Sequence, residues 1–365
     1  MATFAQRTRR HFLWLLLAAY GLSVVLPAPG EALAAWQPLG EVAAGGARFP
    51  MALVAVLLLL AAVATDFPKL RVLTQRPWLM AVSLAGVWLG PALAVGAATF
   101  VLPTLTGAGS SGLLLGLALV AAMPVANSSV GWTQQSGGNQ AWGIGLVVTS
   151  IMLCPWVTPG LLRLAGLALS SDEAARVDTL VTELTGLSFI LWVLLPTALG
   201  FALRPLLSAE RIDRWAEPMR LTTTFVLLLL NYVNGSAVAS QFKQSPPEMT
   251  VIVASALAAL ALSLIGVVIA WALADGLRLD QSTRSALTFG LSMKNTGLAL
   301  GLAASVLREE PIAGLLIAVA TPMQHLVASV LDRWLGANKQ DPRNDTANNG
   351  NTNNDNTEPR PSGSE

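Results

Sequence analysis

The chain has 365 residues, 53% of them hydrophobic and only 12% charged, with a mean hydropathy of +0.59. Soluble domains carry roughly 25% charged residues, so this deficit excludes an ordinary soluble domain and points to an integral protein of the lipid bilayer, in an inner or plasma membrane. A net charge of +1 excludes nucleic acid as a partner, and the single cysteine, Cys154, excludes an internal disulfide.

Catalysis and resident cofactors find no support in the side chains. His11 and His325 are too few and too far apart for a metal site. No Ser/His/Asp or Cys/His set and no facing carboxylate pair is available for covalent or acid–base chemistry. The stretch Gly107-Ala108-Gly109-Ser110-Ser111-Gly112 has the spacing of a dinucleotide loop. It opens an apolar span rather than joining a strand to a helix, so it is set aside. The expectation is a protein that is not an enzyme and has no cofactor.

In chain order, Arg7, Arg9 and Arg10 run directly into an apolar stretch ending near Leu26. That order also fits a cleaved signal, with Ala32-Leu33-Ala34 as its small-residue site, or a twin-arginine signal. Residues 12–27 are read here as a retained first span, because the protein that follows is itself a membrane bundle. Further spans are predicted at 49–65, 79–97, 112–126, 139–158, 186–203, 221–239, 249–274, 285–306 and 311–331. The spans at 12–335 form one transporter-like unit, preceded by a cytoplasmic segment at 1–11. Residues 336–365 are Asn, Asp, Thr, Ser, Pro and Gly without apolar periodicity, and are expected to form a disordered cytoplasmic tail.

With the N-terminus inside, the inside segments carry Arg7, Arg9, Arg10, Lys69, Arg71, Arg76, Arg204, Arg211, Arg214, Arg220, Arg278 and Arg284. The outside segments carry only Arg48, Arg163, Arg176, Lys243 and Arg308. That bias places both termini in the cytoplasm.

Two spans are interrupted by polar residues. The ninth contains Phe289-Gly290-Leu291-Ser292-Met293-Lys294-Asn295-Thr296-Gly297. A lysine at that depth costs roughly 2.5–3.5 kcal/mol on insertion scales, so it needs a protein partner or a wet cavity. The fourth closes on Pro124 through Asn139, a run that includes Asn127, Ser128, Ser129, Trp132, Thr133 and Gln134. Fourth and ninth are equivalent positions if five spans are repeated, and an odd repeat inverts the second half. Leu195-Pro196 in the sixth span echoes Leu26-Pro27 in the first. Matched interruptions in two inverted halves point to a transporter's binding site. The fold class expected is therefore an all-α polytopic bundle of ten spans in two inverted five-helix repeats. Asn231 and Asn234, three apart in span seven, either line a cavity or join helices. Trp132 is expected to wall the site, and most other tryptophans to anchor span ends. Thr182 and Glu183 read as a helix-end feature.

Pro124 with Ser129, Gly138-Asn139 with Pro159 closing span five, Leu195-Pro196…Gly200…Arg204, and Met293 with Asn295-Thr296-Gly297-Leu298-Ala299 carry a family likeness. Over residues 12–335 the chain resembles the bile acid:sodium symporter family. The resemblance implies a core domain of spans 3–5 and 8–10, with broken helices 4 and 9 crossing near mid-membrane, and a panel of spans 1, 2, 6 and 7. It also implies an amphipathic or small organic anion as substrate, moved by alternating access. The family's sodium-ligand positions fall on Ser129, Val130, Gly143 and Val147, with its acidic ligand on Gly290 and its glutamine on Lys294. Sodium needs oxygens, and several here have become methyl or hydrogen, so classical sodium coupling is expected to be lost and no bound metal is expected.

Lys294 carries the same unit charge as sodium and donates three hydrogen bonds. It is expected to bond exposed carbonyls or the side chains of Asn127, Ser128 and Ser129. Thr133, Asn139, Ser292, Asn295 and Thr296 complete the expected binding set, with Trp132, Gln134, Asn231 and Asn234 as outer lining. Three roles stay open for the lysine: an internal counter-ion, a proton carrier or a direct ligand of the anion. A proton-linked antiporter of the same design and a non-transporting membrane sensor are the alternatives.

Overall fold

The computed structural model describes residues 11–37, 49–65, 75–167, 169, 171–244, 246–307 and 310–337. The basic cluster at 7–10, Arg48, Lys69, Arg71, Arg308 and the tail from residue 338 lie outside the described residues. Among the described residues the chain is helical throughout and forms no strands. The helices are α1 (Phe12–Val25), α2 (Pro27–Ala35), α3 (Phe49–Val63), α4 (Pro77–Thr106), α5 (Ser110–Ala122), α6 (Ser128–Gln135) and α7 (Gln140–Gly166). They continue as α8 (Ser171–Thr185), α9 (Leu187–Leu206), α10 (Ala209–Gln244), α11 (Met249–Gly276), α12 (Gln281–Ser292), α13 (Thr296–Val306) and α14 (Pro311–Ala337).

Six of these helices are long and apolar enough to cross a membrane, or seven when the bent pair α1–α2 is counted as one span. That pair turns by 92° at Leu26–Pro27, since proline at the first helical position starts a new helix more readily than it continues an old one. Two further helices, α3 and α5, are apolar but shorter. The interrupted segments α5–α6 and α12–α13 consist of pieces each too short to cross alone.

Several boundaries differ from those expected. Span three runs on to Thr106 through Pro91 and Pro103. Pro159 does not close span five, because α7 continues through Pro155 and Pro159 to Gly166. Neighbouring helices and hydroxyls can satisfy the backbone groups that a proline leaves open inside a membrane bundle. Thr182 and Glu183 belong to a full helix, α8, rather than to a span end. Its Val177, Leu180, Val181 and Leu184 are buried at helical spacing, and it packs against α7. Arg176 on α8 pairs with Glu310 ahead of α14.

Two groups of helices emerge from the packing. In one, α10 lies against α1, α2 and α3, and α3 lies against α9. In the other, α11 packs on α4, α12 and α14, while α5 is enclosed by α4, α7 and α14. Residues Gly112 to Ala122 of α5 are all buried. Close backbone approach at the interrupted helix depends on Gly266 of α11, where an added Cβ would lie 2.2 Å from Leu291 O.

Candidate functional site

Pro124 has no N–H to continue α5, so the chain leaves the helix at Met123 in an extended conformation. On the other side α12 ends at Ser292, and Met293 is likewise extended. The two extended segments meet. Val125 and Lys294 form an antiparallel bridge, with Ala126 N donating to Met293 O at 3.0 Å and Asn295 N donating to Pro124 O at 2.9 Å.

Side chains satisfy the remaining groups, which would otherwise cost about 1–3 kcal/mol each if left buried and unpaired. Val125 N donates to Ser150 Oγ at 3.1 Å, and Lys294 N donates to Gln324 Oε1 at 3.0 Å. Ala122 O accepts from Thr158 Oγ1 at 2.8 Å and from Trp88 Nε1 at 3.2 Å. Asn295 caps α13 by accepting from Leu298 N at 3.0 Å, and Asn139 caps α7 by accepting from Trp142 N at 3.1 Å.

Lys294 is 3% exposed. Its ammonium donates to Val87 O and, at 3.3 Å, to Met123 O. Both carbonyls are available for a reason written in the chain. Pro91, four residues beyond Val87, lacks the N–H that would have taken that oxygen inside α4, and Met123 O sits where α5 has stopped. Of the partners expected from the sequence, exposed carbonyls are the kind used. The side chains of Asn127, Ser128 and Ser129 are not, and the buried Asn127 Oδ1 and Ser129 Oγ have no partner. The carbonyls win because the chain break brings them within reach of the amine.

Beside this crossing lies a cavity of about 500 Å³. Asn127, Ser128, Val130, Trp132, Gln134, Lys294, Asn295 and Thr296 line it from the crossing. Leu57, Leu58, Thr197, Phe201, Arg220 and Leu227 face them from α3, α9 and α10. Arg220, Lys294 and His325 are the basic side chains on its wall, and no Asp or Glu lines it among the described residues.

Other expected site residues do not reach the cavity. Ser129, Thr133 and Ser292 are buried behind it, with Thr133 Oγ1 donating to Ser129 O at 2.9 Å. Asn231 and Asn234 are not among the residues that line it, and of the two roles left open for them the contacts of Asn231 are those of helix joining. Both lie buried on α10; Asn231 accepts from Tyr20 OH at 2.6 Å and donates to Leu227 O at 2.7 Å, so it joins α10 to α1.

At the positions that the resemblance assigns to sodium, oxygen is scarce. Val130 and Val147 present methyl groups to the cavity, and Gly143 faces Thr133. A Cβ on Gly290 would lie 2.7 Å from Leu146 Cδ1, so a leucine fills the space that a longer side chain there would use. Ser129 keeps a hydroxyl, whose oxygen is buried without a hydrogen-bond partner among the described residues.

Sequence reasoning missed the contribution of α14. Thr321 Oγ1 donates to Thr296 Oγ1 at 2.8 Å, and Gln324 Nε2 donates to the same oxygen at 3.3 Å. Trp132 Nε1 donates to His325 Nδ1 at 3.0 Å, which brings the expected site wall onto α14. Further along, Gln135 Nε2 donates to Asp332 Oδ2 at 2.7 Å. The available signal was the polar Gln324-His325 pair in the middle of an apolar span.

A model of the SBF-like CPA transporter family, of bile acid:sodium symporter type, matches residues 10–335. No curated protein matches the chain.

Proposed function

Because the chain belongs to the SBF-like CPA transporter family, we propose that it carries a small organic anion across the membrane by alternating access, with Lys294 taking the place of a bound cation. The family and the apolar helices make it an integral membrane protein of transporter type. The observation that carries the anion reading is the charge of the cavity. Arg220 and Lys294 line it, no carboxylate does among the described residues, and aliphatic residues such as Leu57, Leu58 and Leu227 make up much of its wall. An apolar body with one negative group suits such a lining.

The reading includes ten spans as two inverted five-helix repeats, counting α5–α6 as span four and α12–α13 as span nine. It divides them into a panel of α1, α3, α9 and α10 and a core of α4–α7 and α11–α14. The packing of α10 on α1 and α3, and of α11 on α4, α12 and α14, supports this division. Both termini are taken as cytoplasmic. In that orientation Phe12, Gln135 and Arg220, on the cavity wall, sit toward the cytoplasmic ends of α1, α6 and α10, and Thr65 follows the cytoplasmic end of α3, so in this reading the cavity opens inward.

Sodium coupling is lost in this reading. The support is the donor set: glycine at 143 and 290, valine at 130 and 147, and an ammonium already bonded to Val87 O and Met123 O. Uptake of labelled organic anions into proteoliposomes, with sodium, potassium or choline outside and over a pH series, tests it for wild type and Lys294→Gln. Equal uptake in the three salts is expected. A strict sodium requirement in the wild type removes the proposal. Loss of uptake in Lys294→Gln is expected, and unchanged uptake and pH dependence would reduce the lysine to packing. Uptake driven by an imposed proton gradient would select the proton-coupled alternative, and binding without flux the sensor.

A further inference from the structure

Among the described residues, the crossing holds a buried lysine amine with no carboxylate to answer it. Lys294 is buried, and the hydrogen-bond partners of its ammonium are two carbonyl oxygens. Both are acceptors, which suits a group with three N–H donors and no lone pair. The nearby Cys154 is a buried thiol sharing a hydrogen bond with Thr158 Oγ1 at 3.2 Å, not a carboxylate. No Asp or Glu lines the adjoining cavity among the described residues. Arg220, the cavity's other cation, is exposed, so water screens its charge. Water does not screen Lys294 in the same way.

From this arrangement we propose that the protein is an anion exchanger, moving one organic monoanion in for another out rather than releasing its cargo and returning empty. The proposal rests on the reading above that the chain transports an organic anion with an attached ammonium at the crossing. A carrier that releases a soluble cation together with its substrate returns without either charge. A carrier whose cation is an attached amine can do so only by giving up that amine's proton. When the site closes off from water during reorientation, a loaded site pairs ammonium with anion and is neutral. An empty one that keeps the amine's proton carries a bare buried charge, and isolated charges in a low-dielectric interior are strongly disfavoured. Carbonyl dipoles soften that cost but bring no opposite charge. Taking the mid-membrane penalty for an unpaired charge as the difference, the loaded form reorients on the order of a hundredfold faster than the empty form. Flux then requires an anion on both sides.

The test uses the full-length protein in liposomes, with labelled octanoate and labelled taurocholate as probes. Uptake is compared between liposomes loaded with the same unlabelled anion and liposomes without it. Faster uptake with internal anion, by on the order of a hundredfold, is expected. Under a potassium–valinomycin clamp, exchange should not respond to membrane potential. Efflux into anion-free buffer should respond, because its slow step moves a positive carrier. Lys294→Gln should lower exchange, and in the flux that remains the ratio of exchange to net flux should move toward one.

Equal net and exchange rates in the wild type overturn the proposal, as does exchange that follows the potential. Retention of the full ratio by Lys294→Gln also overturns it. The potential measurement needs only the wild type, so it decides even if the variant fails to fold. Flux without any dependence on internal anion removes the exchange mechanism and leaves the transporter reading standing. If neither probe crosses under any condition, the transporter reading falls and takes exchange with it.

Discussion

Replacing Gly266 by alanine separates two meanings of a short contact. An ideal Cβ at 266 would lie 2.2 Å from Leu291 O, 2.6 Å from the Leu291 carbonyl carbon and 2.7 Å from Ser292 Cα. All three are backbone atoms at the end of α12, one residue before the extended segment, and no rotamer change removes them. Carbon–oxygen contacts settle near 3.3 Å, so α11 and the end of α12 must part by about 1 Å. Overpacking of this kind costs about 1–3 kcal/mol, and the upper end applies because backbone must move. Since Met293 to Asn295 form the bridge to Pro124–Ala126, the same shift drags Lys294 away from Val87 O and Met123 O.

Misplacement by about 1 Å in a working site can lower a rate by ~100-fold. Gly266→Ala is therefore expected to lower the thermal midpoint in detergent by several degrees and to lower proteoliposome flux by ~10–100-fold. Gly90→Ala is the control. Its Cβ would come even closer to an atom, 1.9 Å, but that atom is Ile269 Cδ1, the far end of a flexible side chain. A loss below about 1 kcal/mol is expected there. The reasoning is refuted if Gly266→Ala matches the wild type in midpoint and flux, or if Gly90→Ala proves the more damaging change.

Pro91→Ala restores an N–H that competes for Val87 O; removal of a helix-interior proline, worth about 3 kcal/mol of propensity, should raise the thermal midpoint while flux falls. Flux at the wild-type level in a stabilised Pro91→Ala protein would show that the Val87 carbonyl is not reserved for the ammonium. Ser150→Ala and Ser292→Ala should differ in sign. The first leaves Val125 N unpaired at a cost of about 1–3 kcal/mol, and the second deletes a buried hydroxyl with no partner and should be neutral or stabilising by melting assays.

Asp280, outside the spans, caps α12 by accepting from Ser282 N at 3.1 Å and Thr283 N at 3.2 Å. Burial pushes its carboxyl up, but the bonds from Ser282 and Thr283 together outweigh burial and leave it below the usual value. A group lowered by folding stabilises the fold above its unfolded-state value and loses that contribution as pH falls through the folded value. Asp280→Ala should cost about 1 kcal/mol at neutral pH, and midpoints of variant and wild type should converge in acid. A gap that stays constant with pH would contradict this.

Much of the bundle was legible residue by residue. Apolar runs of span length, the arginines between them, and the interruptions at Pro124–Asn139 and Ser292–Thr296 are local signals that mark where two helices break; that the breaks cross is what the family resemblance implies. The short fourth span resolved into α5 and α6, because Pro124 stops one helix and the hydroxyl-rich Asn127-Ser128-Ser129 run starts another. Helix α8 was also written in the chain, as apolar residues at 177, 180, 181 and 184. Its Asp172, Glu173, Arg176, Asp178 and Glu183 make it too polar to resemble a span, and only Thr182 and Glu183 stand out in it, as a helix-end feature.

By itself, then, the sequence determined that this is a helical membrane protein, where two of its helices break, and that an amine sits at one break. Hydropathy and proline chemistry act within a few residues, so they can be read without a fold. Only the tertiary structure decided what the amine touches. Val87 lies 207 residues from Lys294, and a backbone carbonyl has no letter of its own in a sequence. Its one trace was Pro91, and that proline becomes meaningful only when packing carries α4 to the crossing. The same holds for Gln324, His325 and Arg220, ordinary polar residues along their helices until the bundle turns them toward one cavity.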